Sequence, residues 1–222
     1  MQNELASGPR LAMHRALADE TRLAIVDALA LSDRTPTQLR SLLDAPSNLL
    51  TFHIDTLQRA GLVARSTSRG DARRRYVRLT AAALPFVAPA VAAAPGLVLF
   101  VCTHNAARSQ LAEALWRART GLAALSAGSH PADGVDAVAA EVAKAHGLDL
   151  SAARPCGYDA IDTAPDLVVS VCDRAAEAGL PFAAPQLHWS VADPRGGDRG
   201  AFDTAFDDIA ARMDRLVTAV HA

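Results

Sequence analysis

The 222-residue sequence predicts two domains: a mainly-α domain carrying a short hairpin, then an α/β domain with a parallel sheet flanked by helices. Three observations carry this. Charge divides at the middle of the chain: residues 1–94 hold 12 Arg and 8 acids, net +4, and residues 95–222 net −6. Helical periodicity dominates the first part. In the second, wholly apolar runs alternate with amphipathic ones, the pattern of strands buried on both faces and the helices that cover them. We place the boundaries at 1–94, with a linker from about 85, and 95–222.

In the first part, Arg10–Leu17 and Glu20–Leu31 carry apolar residues at helical spacing, with Leu23, Val26 and Ala30 on one face. Thr35-Pro36-Thr37-Gln38 reads as a helix start, with Thr35 as cap, Pro36 in the first turn and Gln38 reaching back. That helix runs to about Leu43, and Asp44-Ala45-Pro46 turns the chain. Ser47 is expected to cap a further helix that stops at Gly61. Leu62–Ser66 and Arg74–Leu79 then pair as strands around Ser68-Arg69-Gly70-Asp71.

This order is that of a winged helix-turn-helix. From Arg65 to Arg78 there are six arginines and one acid, enough to neutralise several phosphates. The expected DNA-facing residues are Ser47, Asn48, Thr51 and His53 on the fourth helix and Arg69, Arg73, Arg74 and Arg75 on the hairpin. Asn suits base edges, and Ser, Thr and Arg suit phosphates. The plain alternative is a solvated arginine face on a small α+β domain. The stretches ALADETRLAIVDAL, TPTQLRSLL, SNLLTFHIDTLQRAGLVARS and RRRYVRL resemble the ArsR-type winged-helix repressors over about residues 10–90. The resemblance implies operator DNA as partner and a homodimer formed through the first domain. The family commonly senses metal or arsenite through cysteines on the helix matching Pro36–Leu43, yet residues 1–94 contain no cysteine. No metal site is expected, and DNA binding carries over further than effector sensing.

Between the domains, Leu79–Cys102 is 24 residues without a charge. Pro85, Pro89, Pro95 and Gly96 interrupt it, and lipid cannot replace the hydrogen bonds prolines remove. It is read as a short helix, a Pro-rich linker and a strand, with no membrane association. The N-terminus, Met1-Gln2-Asn3-Glu4, lacks a basic and apolar leader, so the expected location is cytoplasmic. Three cysteines do not complete a disulfide framework and fit thiols in a reducing compartment.

Leu97–Val101 is a continuous apolar run that leads into Cys102-Thr103-His104-Asn105-Ala106-Ala107-Arg108-Ser109 and a helix, Gln110–Thr120. Strand, loop and helix place backbone N–H groups and the positive end of a helix around one tetrahedral anion. Residues Thr103 to Arg108 form the expected oxyanion cradle, with Ala106 and Ala107 small enough for the backbone to wrap closely. Arg108 adds a two-pronged fork to it. The same field favours a thiolate at Cys102, and Ser109 can donate to it. Strands at Ala123–Ser129, Leu167–Val171 and Gln186–Trp189 and helices at Val135–His146 and Phe202–Val220 complete the alternation. Cys172 and Asp193 fall at strand C-terminal ends, where such folds bind ligands. Asp193, in Ala192-Asp193-Pro194 on a Gly-rich loop, is the candidate general acid.

These residues resemble the low-molecular-weight tyrosine phosphatase fold over about residues 96–222. Two families use it. The phosphatases follow their loop with Ser-Pro and their Asp-Pro with tyrosines, where this chain has Ser109-Gln110 and Pro194-Arg195. The arsenate reductases favour Arg-Ser-Gln, a His-Trp before the Asp-Pro and a second cysteine after a Val-rich strand. Arg108-Ser109-Gln110, His188-Trp189 and Cys172 match these. The resemblance implies a thiol-dependent arsenate reductase: an arsenate (or phosphate) oxyanion site, Cys102 as nucleophile, Cys172 as resolving thiol, no bound cofactor and an external thiol reductant. That reductant is thioredoxin, or a low-molecular-weight thiol with a glutaredoxin-type partner. The third cysteine of the thioredoxin-linked enzymes is replaced by Gly179. Cys156 lies outside the family's pattern and is either a substitute resolving thiol or an inert buried cysteine. Two alternatives remain: a protein-tyrosine phosphatase fused to a regulator, and a regulator whose second domain senses oxyanions or redox state without turnover.

Overall fold

The computed structural model describes residues 7–87 and 94–221. They divide into two compact units, one of residues 7–67 and 73–87, the other of 68–72 and 94–221. The expected segment Met1–Glu4 and most of the Pro/Ala linker, with Pro89, lie outside the described residues.

The first unit comprises α1 (Ser7–Leu17), α2 (Glu20–Ala28), α3 (Pro36–Leu43), α4 (Ser47–Arg59) and the strands β1 (Val63–Thr67) and β2 (Arg75–Leu79). Leu50, Ile54 and Leu57 of α4 pack with Ile25, Val26, Leu39, Leu62 and Val77 in one buried cluster. Spacing of three and four residues puts Leu50, Ile54 and Leu57 on one face of α4, and burying each stabilises the unit by roughly 1.5–3 kcal/mol. Thr35 forms a full capping box: its hydroxyl accepts from Gln38 N–H while Gln38 Oε1 accepts from Thr35 N–H. The strands pair antiparallel, Val63 opposite Leu79 and Thr67 opposite Arg75.

Two local expectations change. The second helix ends at Ala28 rather than Leu31, and further on Arg34 bridges Val77 at 3.1 and 2.8 Å, giving β2 a partner on its second edge. Ser47 does not cap α4. Pro46 occupies the cap position without a side-chain bond, and the Ser47 hydroxyl instead accepts from Arg40 at 3.2 Å.

The second unit holds β3 (Leu97–Cys102), α5 (Arg108–Thr120), β4 (Ala123–Gly128), α6 (Ala137–Ala145), β5 (Leu167–Ser170), α7 (Asp173–Ala178), β6 (Gln186–His188) and α8 (Arg199–His221). All strand pairs are parallel, in the order β4-β3-β5-β6. The two apolar runs, β3 and β5, are the inner strands, which explains why neither alternates. Phe100 packs between Trp116 of α5 and Trp189. The opposite face, Leu99, Val101, Ala127 and Val168, is closed by a 3-10 turn (Tyr158–Ala160) and by Leu180, Phe182 and Ala184. No described helix is long and apolar enough to cross a membrane. The uncharged run resolves instead into a 3-10 helix, Ala81–Phe86, and β3.

Candidate active site

Cys102 ends β3 and Arg108 opens α5, so the five residues between them turn back over the carboxyl end of the sheet. The carbonyls of Cys102, Thr103, His104 and Ala106 accept from Ser129, His130, Ala132 and Asp136 at 2.8–3.3 Å. Those bonds hold the loop against the 129–136 segment. Gly128, in register with Cys102, makes the close approach possible. A Cβ there would stand 2.8 Å from Thr103 O and 2.9 Å from Asn105 N.

Asn105 is the keystone of the loop. It is fully buried at φ 49°, in the left-handed region that Asn tolerates better than most residues. Its amide donates to Ser109 Oγ (2.9 Å) and Ser126 Oγ (2.8 Å), and its carbonyl accepts from Gln110 Nε2 (3.1 Å) and Cys156 N–H (2.9 Å). Because Ser109 Oγ already accepts from Asn105, its own proton is free to point at Cys102 Sγ, 3.0 Å away. Asn105 N–H, at 3.2 Å, is a second donor to that sulfur. Two donors thus converge on one buried sulfur.

Arg108 is buried, with one guanidinium nitrogen on Val191 O (3.0 Å) and the other on Asp193 Oδ2 (2.9 Å). Asp193 also meets Arg195 at 3.4 Å. Burial alone would push the Asp193 carboxyl up, but Arg108 and then Arg195 hold it below the usual carboxylate range. Asp193 is therefore a carboxylate paired to Arg108. His104, at the mouth, is held below the usual histidine range by burial and by Arg195. Its Nδ1 lies 3.0 Å from His130 O.

Cys172 is buried ahead of α7, a helix that the sequence reading missed because six residues show no periodicity. Its sulfur accepts from Ala175 N–H (3.3 Å) and lies 3.4 Å from Thr103 Oγ1, which ties it to the loop. Burial pushes the Cys172 thiol up, against the pull of Arg108. Asp173 and His188, also missed as a pair, fix this segment to β6. His188 Nε2 is 3.1 Å from Asp173 Oδ1, and its Nδ1 is 2.9 Å from Ser170 Oγ. Burial would raise the Asp173 carboxyl, yet the His188 hydrogen bond leads the contacts that hold it below the usual range. Cys156 is half-buried. Its thiol donates to Ser126 O (3.2 Å), and burial followed by Glu113 pushes it up. Cys156 lines a cavity of about 500 Å³ together with Gln110, Glu113, Arg117 and Arg154.

In the first unit, Ser47, Asn48 and Thr51 are exposed on the first turns of α4, and Arg73, Arg74 and Arg75 are exposed at the start of β2. Arg69 is exposed as well, in the stretch assigned to the other unit. His53 departs from expectation. It is only 5 % exposed, with Nδ1 3.7 Å from Asp19 and 3.5 Å from Arg22, so it braces α4 against α2 instead of facing DNA. The position follows from spacing, since His53 lies three residues past Leu50 and one before Ile54 on the buried face. Phe52 (55 % exposed) and Leu49 (44 %) stand beside Asn48 and Thr51, and the polar-residue reading passed over them.

The comparisons agree with this geometry. Residues 17–65 match a helix-turn-helix domain. An arsenate reductase of Brevibacillus brevis is 33 % identical over 124 residues, which cover 54 % of this chain and 92 % of the relative. The crystal structure of an arsenate reductase from Archaeoglobus fulgidus superposes with a TM-score of 0.50 and 35 % identity, covering 55 % of this chain and 98 % of that one. An arginine phosphatase from Geobacillus stearothermophilus superposes with a TM-score of 0.50 at 26 % identity, covering 57 % of this chain and 94 % of that one. Residues 97–222, more than half the chain, match the low molecular weight phosphotyrosine protein phosphatase family, and with its helix-turn-helix domain in front the chain belongs to that family.

Proposed function

We propose that the chain reduces arsenate to arsenite through Cys102 and carries a DNA-binding regulator domain on the same polypeptide. The observation that carries the reading is a second buried sulfur, Cys172, held to the oxyanion loop by Thr103 at 3.4 Å. A phosphatase hydrolyses its intermediate with water and has no use for it, and the arsenate reductase relatives support the same choice.

Arsenate is a tetrahedral anion, so the N–H groups from Thr103 to Arg108 and the Arg108 fork hold it as they would phosphate. Binding draws Arg108 away from Asp193 and places negative charge beside that carboxyl, which raises its affinity for a proton. The Cys102 thiolate attacks arsenic, and Asp193 protonates the departing oxygen, which leaves as water. The Cys172 thiolate then attacks Cys102 Sγ. The sulfur–arsenic bond breaks with its electron pair on arsenic, giving arsenite and a Cys102–Cys172 disulfide. Arsenate and two thiols thus become arsenite, water and a disulfide, which an external thiol reductant reopens. Thioredoxin or a low-molecular-weight thiol with a glutaredoxin-type partner fills that place. Gly179, where a third cysteine would relay the disulfide, favours the small thiol.

For the first unit, Ser47, Asn48 and Thr51 on α4 and Arg69, Arg73, Arg74 and Arg75 supply the DNA contacts, with the chain acting as a homodimer through this unit. The test of the enzyme is a side-by-side assay of arsenate and an aryl phosphate, with thioredoxin and a small thiol supplied separately. Cys102→Ser abolishes arsenite production with either donor. Turnover that survives this change, or that runs on aryl phosphate alone, refutes the reading.

A further inference from the structure

The outer face of α4 is built around apolar side chains. Asn48, Phe52, Asp55 and Arg59 recur at helical spacing, so they form one stripe along the helix, and all four are exposed. Phe52 lies within that stripe, and Leu49, also exposed, stands three residues before it on the same side. The core does not use either, since it takes Leu50, Ile54 and Leu57 from the opposite side of the helix. Phe52 meets the His53 ring edge-on at 5.6 Å, and more than half of it stays open to solvent.

The surroundings of this pair identify the class of partner. Phe52 lines an open groove together with Asp55, Gln58, Arg59 and Arg65. The acid there is already answered: Asp55 pairs with Arg65 at 2.6 Å, and Arg65 also donates to Gln58. Two cations and one acid therefore border the ring, and the exposed Arg73, Arg74 and Arg75 extend the same bias along the hairpin. An apolar patch inside a cationic rim suits a DNA duplex. Its phosphates flank a major groove whose floor carries one apolar group, the thymine C5-methyl. α4 is also the second helix of its helix-turn-helix, the element such motifs lay in the major groove by its first turns. The hydroxyls of those turns are partly committed within the protein. Thr51 donates to Ser47 O at 2.9 Å, and Ser47 accepts from Arg40 at 3.2 Å. That shifts base reading from the hydroxyls toward Asn48 and the apolar pair.

We propose that Phe52, with Leu49 beside it, is the residue through which the first unit distinguishes thymine, by packing against C5-methyl groups on the floor of the major groove. This rests on the reading of the first unit as DNA-binding. The contact buries apolar surface and makes no ion pair, so it selects sequence and leaves phosphate attraction to the arginines. One methyl contact is worth about fourfold in affinity, the value of burying one carbon's apolar surface.

The experiment starts from sites that the full chain recovers from a library of random duplexes. Each thymine of a recovered site is replaced in turn by uracil, which removes the methyl and keeps the hydrogen-bonding edge. Binding is read by fluorescence anisotropy for the wild-type chain and for Phe52→Ala. At one or two thymines the wild-type chain is expected to lose about fourfold on uracil substitution. At one of these at least, Phe52→Ala binds thymine and uracil alike, with the wild-type salt slope. Its melting temperature and sedimentation match the wild type, since Phe52 is a surface residue. Recovered sites indifferent to uracil, or uracil penalties undiminished in Phe52→Ala, overturn the proposal and leave DNA binding standing. A changed oligomeric state in Phe52→Ala overturns it too, by showing that a second copy of the chain covers the patch. If the full chain holds no duplex even at low salt, the DNA-binding reading fails and the proposal with it.

Discussion

Gly128→Ala is the smallest change that should disable the oxyanion loop without touching any group that reacts. The added methyl would meet Thr103 O at 2.8 Å, Asn105 N at 2.9 Å and His104 C at 3.0 Å, all backbone atoms that no side-chain rotation can clear. The loop, the sheet or both must yield by several tenths of an ångström. Overpacking of this kind costs about 1–3 kcal/mol. For a unit of this size that is a fall in melting temperature of roughly 3–12 °C. The larger effect is on chemistry. The displaced atoms belong to the loop that holds the anion, and misplacement approaching an ångström costs on the order of 100-fold. Gly134→Ala is the control, since nothing lies within 4 Å of its added carbon. The assay pairs thermal unfolding with arsenate turnover and with protection of Cys102 from alkylation by phosphate. If Gly128→Ala matches Gly134→Ala in all three, the close approach of β4 does not set the loop and the geometric reasoning is wrong.

At Asn105, both Ala and Gly substitutions remove four side-chain hydrogen bonds and should cost roughly 3–5 kcal/mol by denaturant unfolding. Ala should be worse than Gly by about 1 kcal/mol because of the left-handed backbone, and equal losses would dismiss that strain. The Asp173 carboxyl, held below its usual range, contributes stability above its unfolded value near about 4 and loses it as pH falls through the folded value. Asp173→Asn should therefore melt lower at neutral pH, by roughly 1–3 kcal/mol, with the gap closing in acid; a gap constant from neutral to acid would refute the His188–Asp173 account. Replacing Arg74 and Arg75 by Ala should flatten the log–log salt dependence of DNA binding by about 1 for each phosphate no longer neutralised, read by fluorescence anisotropy. An unchanged slope would mean that these arginines do not meet phosphate.

Regular elements and backbone-borne features were legible in the sequence; features made by long-range side-chain pairing were not. The two continuous apolar runs marked β3 and β5 as inner strands because burial on both faces leaves no polar position between. The capping box at Thr35 was readable because its two partners lie within three residues. The turn from β3 into α5 told where an anion would sit, since strand, small residues and arginine follow one another in the chain. Asn105, Ser126 and Gln110 form one network drawn from a loop, a strand and a helix, and no spacing rule links them. His188 and Asp173 are fifteen residues apart and meet only because β6 runs beside β5. His53 shows the opposite error. A polar residue on the fourth helix was expected to face DNA, although its phase relative to Leu50 and Ile54 already placed it inward.

The acidic charge of the second part is no obstacle to binding a dianion, and the reason lies in distance. The net −6 of residues 95–222 is spread over a surface where water and salt screen charges beyond about 10 Å. The loop acts within hydrogen-bonding distance, in a site where Cys102, Asn105, Arg108 and Ser109 are all nearly free of solvent contact. There Arg108 is paired to the nearest acid, Asp193, at 2.9 Å, and in the proposed reaction the anion takes the arginine's fork and so favours a proton on Asp193. A site built this way needs no basic surface. An acidic surround would moreover disfavour loose association with nucleic acid, which leaves DNA contact to the +4 part ahead of it. The opposed charges of the two halves are thus what a chain needs if one end is to hold DNA and the other a small oxyanion, each without competing for the other's ligand.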